Sequence, residues 1–224
     1  MPIATSLAAV VFASSLAGAA PVARSLPPVT VDLTIAPDVP ATLVTRVLEE
    51  ADAVWRASGL TFVWNRHAGG VSISTAPLGP RACGALEVVI GHERGAGGNM
   101  ARDDRMALGW IVFEEPGVPG HEIYVSYENA IAYMGGARAV VGVIEQMTIM
   151  EREIKLARAM GRALAHELGH YLLASKVHTP GGLMQAVHTA SDFFGNQRTA
   201  FAVDASQRET VADRLRRQPL VATR

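Results

Sequence analysis

The residues best suited to chemistry lie in one stretch, "GRALAHELGHYLLASKVHTPGGLM", positions 161–184, which holds His166-Glu167-Leu168-Gly169-His170 and, eight residues further on, His178. Residues four apart on an α-helix are turned by only about 40° and separated by about 6 Å along the axis, so His166 and His170 can grip one metal ion. Glu167 lies about 100° around from His166, outside that grip but within reach of a water on the ion. This pattern points to hydrolysis with a single catalytic Zn2+. The histidines hold the zinc, the zinc brings the pKa of its water towards neutrality, and Glu167 takes the proton as the water attacks a peptide carbonyl. Glu167 then passes the proton to the leaving nitrogen.

A catalytic zinc takes three protein ligands and keeps one position open. A helix that stops near Ala174-Ser175 would let the chain turn back and bring His178 beneath the metal. The chain must therefore supply a long helix, a sharp return, and a sheet for that helix to rest on.

It has the means for all three. Val29, Val31, Leu33 and Ile35 alternate with polar residues and predict a half-buried strand. Leu43, Val44, Val47, Leu48, Ala51 and Val54 recur at helical spacing, with Gly59 as the stop, and residues 60–66 read as a second strand. Strand, helix and strand together predict a right-handed parallel crossover. "GALEVVIG" is expected as a third strand, "MALGWIVF" as a fourth and residues 121–127 as a fifth. A short turn, "EEPGVPG", joins the last two, so one of them should run antiparallel, and His121-Glu122 should begin an edge strand. Residues 67–84 and 91–104 read as loops; the glycines of the second loop open no helix and make no phosphate-binding pattern. Residues 145–174 lack proline and carry a helical apolar stripe, and a last helix is expected at 205–217, with Asp204 as cap and Gln207 three residues on. Trp55, Trp64 and Trp110 are expected as core or cleft wall, and His67, His92 and His188 as surface loop residues.

Composition narrows the function further. The chain has 224 residues, 49% hydrophobic and 18% charged, with a formal net charge of −1, so it lacks the basic excess of a nucleic-acid binder. Residues 3–20 carry no charge and end in small residues, which predicts a signal peptide over 1–23 and one domain over 24–224, secreted or periplasmic. An uncleaved anchor is the alternative; once the signal is removed, no membrane association is expected. Cys83 is the only cysteine, so no internal disulfide can form, and it is expected as a small buried side chain. The partner expected is a protein or peptide substrate.

The stretch "HELGHYLLASKVHTPGGLM" resembles the zinc site of the metzincin metallopeptidases, and the order of strands and helices before it is loosely similar to theirs. The resemblance implies a zincin-like α/β (α+β) domain: a mixed twisted sheet with an antiparallel edge strand, packed on a long active-site helix, and a smaller helical C-terminal part. It also implies that Met184 lies in a tight turn under the metal. The sequence departs from the usual spacing. Leu173 and Lys176 stand where that family has a glycine and its third histidine, and His178 comes two residues late. Archaemetzincins vary this spacing, but the cysteine-bound second zinc found in many of them is excluded here by the single cysteine. No tyrosine closely follows Met184 to stabilise an oxyanion. Glu209 remains an alternative third ligand, because Glu209 and Asp213 resemble the E-x-x-x-D arrangement of thermolysin-like peptidases. A non-catalytic binding protein on the same scaffold is the competing functional class.

Overall fold

The alternation in "VTVDLTI" becomes strand β1, Val29–Ile35, with Val29, Val31 and Leu33 fully buried. The structure is a computed structural model that describes residues 26–66, 86–93 and 107–217. The expected signal segment, His67 and Cys83 lie outside the described residues. Helix α1, Ala41–Arg56, buries all six of its periodic apolar positions, and Gly59, at φ +82°, completes the turn that follows it. Strand β2, Phe62–Arg66, then pairs in parallel with β1. Strand β3, Leu86–Gly91, takes the other side of β1, also in parallel.

Strands β4, Gly109–Glu115, and β5, Val118–Ser126, form the expected antiparallel hairpin, but both are shifted towards their turn relative to the expected 106–113 and 121–127. Glu115 pairs with Val118, which leaves Pro116-Gly117 to make the turn, with Gly117 at φ +79°. The sheet order is β2-β1-β3-β5-β4. The strand that begins near His121-Glu122 is therefore not the edge. β5 lies in parallel beside β3, so its hairpin partner β4 is displaced outward and becomes the antiparallel edge. Together with the helices this makes one mixed α/β domain.

Two helices with weak local signals follow β5: α2, Tyr127–Gly136, capped by the Ser126 side chain, and the single turn α3, Arg138–Val141. The long helix is α4, Ile149–Leu173. It starts at a capping box in which Thr148 and Glu151 satisfy each other's backbone N–H groups. It packs against α1 so closely that a Cβ on Gly161 would lie 2.7 Å from the Val47 carbonyl oxygen. Trp55, buried on α1, donates its indole N–H to the Ala165 carbonyl at 3.1 Å. Two further helices, α5 (Ala190–Phe194) and α6 (Ala205–Arg217), pack against α4. Asp204 caps α6 and Gln207 reaches back to the Asp204 N–H, as their spacing predicts.

Buried charge joins these parts. Arg162, fully buried on α4, donates to Glu50 of α1 at 2.8 Å and to the Asp192 and Phe193 carbonyls of α5. Glu50 also accepts from Arg198 at 2.6 and 3.1 Å.

α4 ends at Ala174, whose φ of +47° makes it the one described non-glycine residue in the left-handed region. A side chain there costs about 1–2 kcal/mol. Ala174→Gly is therefore expected to stabilise the fold by about 0.5–1 kcal/mol, read as a higher urea midpoint with an unchanged slope.

Candidate metal centre

The last two turns of α4 carry His166, Glu167 and His170, and the chain beyond α4 folds back to meet them. His166 donates its Nδ1–H to the Leu183 carbonyl at 2.7 Å, and His170 donates its Nδ1–H to the Ser175 carbonyl at 2.6 Å. A carbonyl oxygen can only accept, so both Nδ1 atoms carry the proton and both Nε2 atoms present lone pairs. Those Nε2 atoms lie 3.0 Å apart. Two lone pairs so close repel each other unless a cation lies between them. Two nitrogens bound tetrahedrally to zinc at about 2.0–2.1 Å would stand about 3.3 Å apart, close to what is found.

His178 closes the group. Its ring centroid is 5.4 Å from that of His166 and 4.9 Å from that of His170, and one ligand atom from each histidine lies within 4.8 Å of the other two. His178 is exposed while His170 is buried, so the group opens to solvent on the His178 side. Burial depresses the pKa of His166 to about 4 and lowers that of His170, which keeps both imidazoles neutral and able to ligate at ordinary pH. The three histidines could hold a metal ion, and imidazole donors suit zinc, copper, iron and nickel alike. Glu209 is exposed on α6 and Asp213 pairs with Arg216 at 2.6 Å; neither joins the group.

Glu167 projects elsewhere, into the seam between α4 and β4. Its carboxyl accepts the Ile111 N–H, and burial, opposed only by that bond, pushes its pKa up to about 8. Gly109 makes the room. A Cβ there would stand 3.1 Å from Glu167 Cγ and 3.0 Å from the Tyr124 carbonyl oxygen. β4 also supplies Phe113, whose ring meets His170 edge-on at 6.5 Å and carries the Lys176 ammonium 5.0 Å above it. A bulge in β4 beside Phe113 accompanies this placement. No local sequence signal marks Gly109, Phe113 or Lys176, because their partners lie far away along the chain.

Below the histidines the chain makes a tight turn through Gly182, Leu183 and Met184. Gly182 sits at φ +77°, Gln185 donates to the Gly182 carbonyl at 3.1 Å, and Thr179 donates to the Met184 carbonyl at 2.8 Å. Met184 is buried directly against Gly169, where an added Cβ would come within 2.3 Å of the methionine sulfur. The glycine inside "HELGH" is thus the opening through which Met184 packs. Gly169→Ala is expected to cost about 1–3 kcal/mol through this overlap, against a helix-propensity gain of about 1 kcal/mol. With Met184→Ala already present, the same change should become neutral or stabilising. A urea-denaturation double-mutant cycle checks this, and additivity of the two changes would refute the packing.

His188 is not the surface loop residue expected. It stacks on Phe201 at 4.1 Å and stands edge-on to His166 at 6.3 Å, within an aromatic cluster that includes Phe193. His92 does lie in a partly exposed turn after β3, where Asp38 and Glu128 flank it at 2.7 and 3.2 Å and raise its pKa. Trp110 stacks on Tyr124 at 5.2 Å, while Trp64, half-buried, donates to Asp52.

No protein-family model matches the chain, and no curated protein is significantly similar to it.

Proposed function

We propose that the chain is a zinc-dependent endopeptidase with a zincin-like architecture, acting on protein or peptide substrates outside the cytoplasm. The observation that carries this reading is the pair of Nε2 lone pairs, pinned by backbone carbonyls and facing each other at 3.0 Å, with His178 beside them. His166, His170 and His178 would hold the metal, and the exposed side of His178 leaves room for the scissile bond. A zinc ion there supplies positive charge that polarises a carbonyl and acidifies a water.

The chain's own residues do the rest. Glu167 accepts the proton of the attacking water and returns it to the departing amine. The cation would pull the Glu167 pKa down from about 8, which keeps the residue ionised as a base. β4, the edge strand among the described residues, can take an extended peptide as an added strand, so affinity comes from backbone hydrogen bonds. Phe113 and Lys176 stand on the wall beside His170, where they would meet a substrate side chain.

The test is elemental analysis of the purified chain beside casein cleavage with and without a chelator. One zinc per chain, with cleavage lost to the chelator and restored by zinc, is expected. Bound zinc without cleavage would instead favour a binding protein on this scaffold.

A further inference from the structure

A polar cavity, open to solvent, lies between α1 and α4. Its volume is about 190 Å³, and Arg46, Glu49, Glu50, Ile154, Ala157, Arg158 and Arg198 line it. That volume holds several waters. Its charge is out of balance. Glu50 is the one buried carboxylate, and it is already spent, accepting from Arg162 and twice from Arg198. Arg46 approaches the Met150 sulfur at 3.2 Å and Arg158 donates to the Phe194 carbonyl at 3.3 Å. Neither forms an ion pair among the described residues. Among the described residues three guanidinium groups line it against two carboxylates, Glu50 and the exposed Glu49. Arg162 is held below its usual pKa by burial and also by Arg198 and Arg158, so these positive charges act on one another.

Arginines present planar forks that match the oxygens of a tetrahedral anion, and Ile154 and Ala157 line the cavity beside them. We propose that the cavity between α1 and α4 is a binding site for a free divalent oxyanion of the phosphate class, held by Arg46, Arg158 and Arg198. The bound anion would offset the surplus positive charge and give Arg46 and Arg158 an anionic partner beside their neutral ones. It would also steady Arg198, which immediately precedes the turn Thr199–Phe201. The Ala202 carbonyl just beyond accepts from Leu183 at 2.9 Å. The site is therefore tied to the platform beneath the histidines without sharing a residue with it. The proposal is independent of the metal's identity.

The test is a thermal-unfolding titration with sodium phosphate against sodium chloride at matched ionic strength, on zinc-loaded and chelator-treated protein alike. Phosphate is expected to raise the midpoint by a few degrees in both forms. The same titration on Arg46→Gln and on Arg46→Gln/Arg158→Gln should show the rise reduced and then lost. The phosphate-free midpoint should be unchanged or higher in these variants, because a repulsion has been relieved. An equal response in wild type and double variant, or a response only in the zinc-loaded form, would overturn the proposal. A phosphate-ester headgroup carries the same chemistry. Co-sedimentation with phosphatidic acid vesicles that depends on Arg46 and Arg158, without any effect of free phosphate, would overturn the free-anion assignment.

Discussion

Glu167→Gln is expected to keep the fold and a full complement of zinc while turnover falls by about 10²–10⁴-fold or more, because a positioned base contributes about that much. The amide oxygen of the variant can still accept the Ile111 N–H, so the seam between α4 and β4 stays closed. What disappears is the group that takes the proton. The loss should appear in kcat, with KM little changed, since a buried base removed from the proton transfer takes away an interaction made in the transition state. A second readout uses the zinc-free protein. The Glu167 pKa is raised from its ordinary 4.5 to about 8, so its contribution to stability is complete below pH 4.5 and is lost as the pH climbs through 8. The variant should lack that decline. Turnover at the wild-type level would remove Glu167 from the mechanism.

The second large effect concerns the third ligand. His178→Ala should release zinc on gel filtration and abolish cleavage, because two imidazoles alone hold the ion too weakly. His178 is exposed, so the apo fold should tolerate the change, and circular dichroism of the variant should match that of chelator-treated wild type. Glu209→Ala should retain zinc and activity, since Glu209 faces solvent on α6. The opposite pair of results, zinc kept without His178 and lost without Glu209, would restore the thermolysin-like ligand set. Metal content by elemental analysis, beside peptidase assays on the same samples, decides between them.

The parts of this architecture that were legible in the sequence are those whose partners are close by. The alternation of β1, the apolar stripe of α1 and the long uninterrupted run of α4 each bury one face, and burial leaves a period behind. The proximity of His166 and His170 follows from helix geometry alone. α2 was passed over because its apolar residues make a weak stripe and it ends in Gly135-Gly136, although Ser126 three residues before Asn129 was a usable cap signal. α5 is only five residues long, and its one signal was the Thr189–Asp192 capping box. Sheet order is a different kind of information. Nothing in residues 118–126 records that β3 lies beside them, so the local pattern alone places β5 at the edge. His188 was misjudged for the same reason: the ring it stacks on, Phe201, belongs to a later turn that the local sequence does not point to.

The hydrogen bond from the Leu183 N–H to the Ala202 carbonyl bears on the order in which this chain can mature. α4 can form as soon as it emerges from the ribosome, because its capping box and its i→i−4 bonds are internal to it. Its two histidines would still be free to rotate. His166 acquires a fixed tautomer only when the Leu183 carbonyl arrives, and the turn that presents Leu183 is anchored by residue 202. A nascent chain that ends short of Ala202 therefore displays a pair of histidines without their clamp. If the three histidines hold a metal, its selective capture would follow synthesis of the chain through Ala202. For a hydrolase, that timing would keep the unfinished chain from acting on itself or its neighbours.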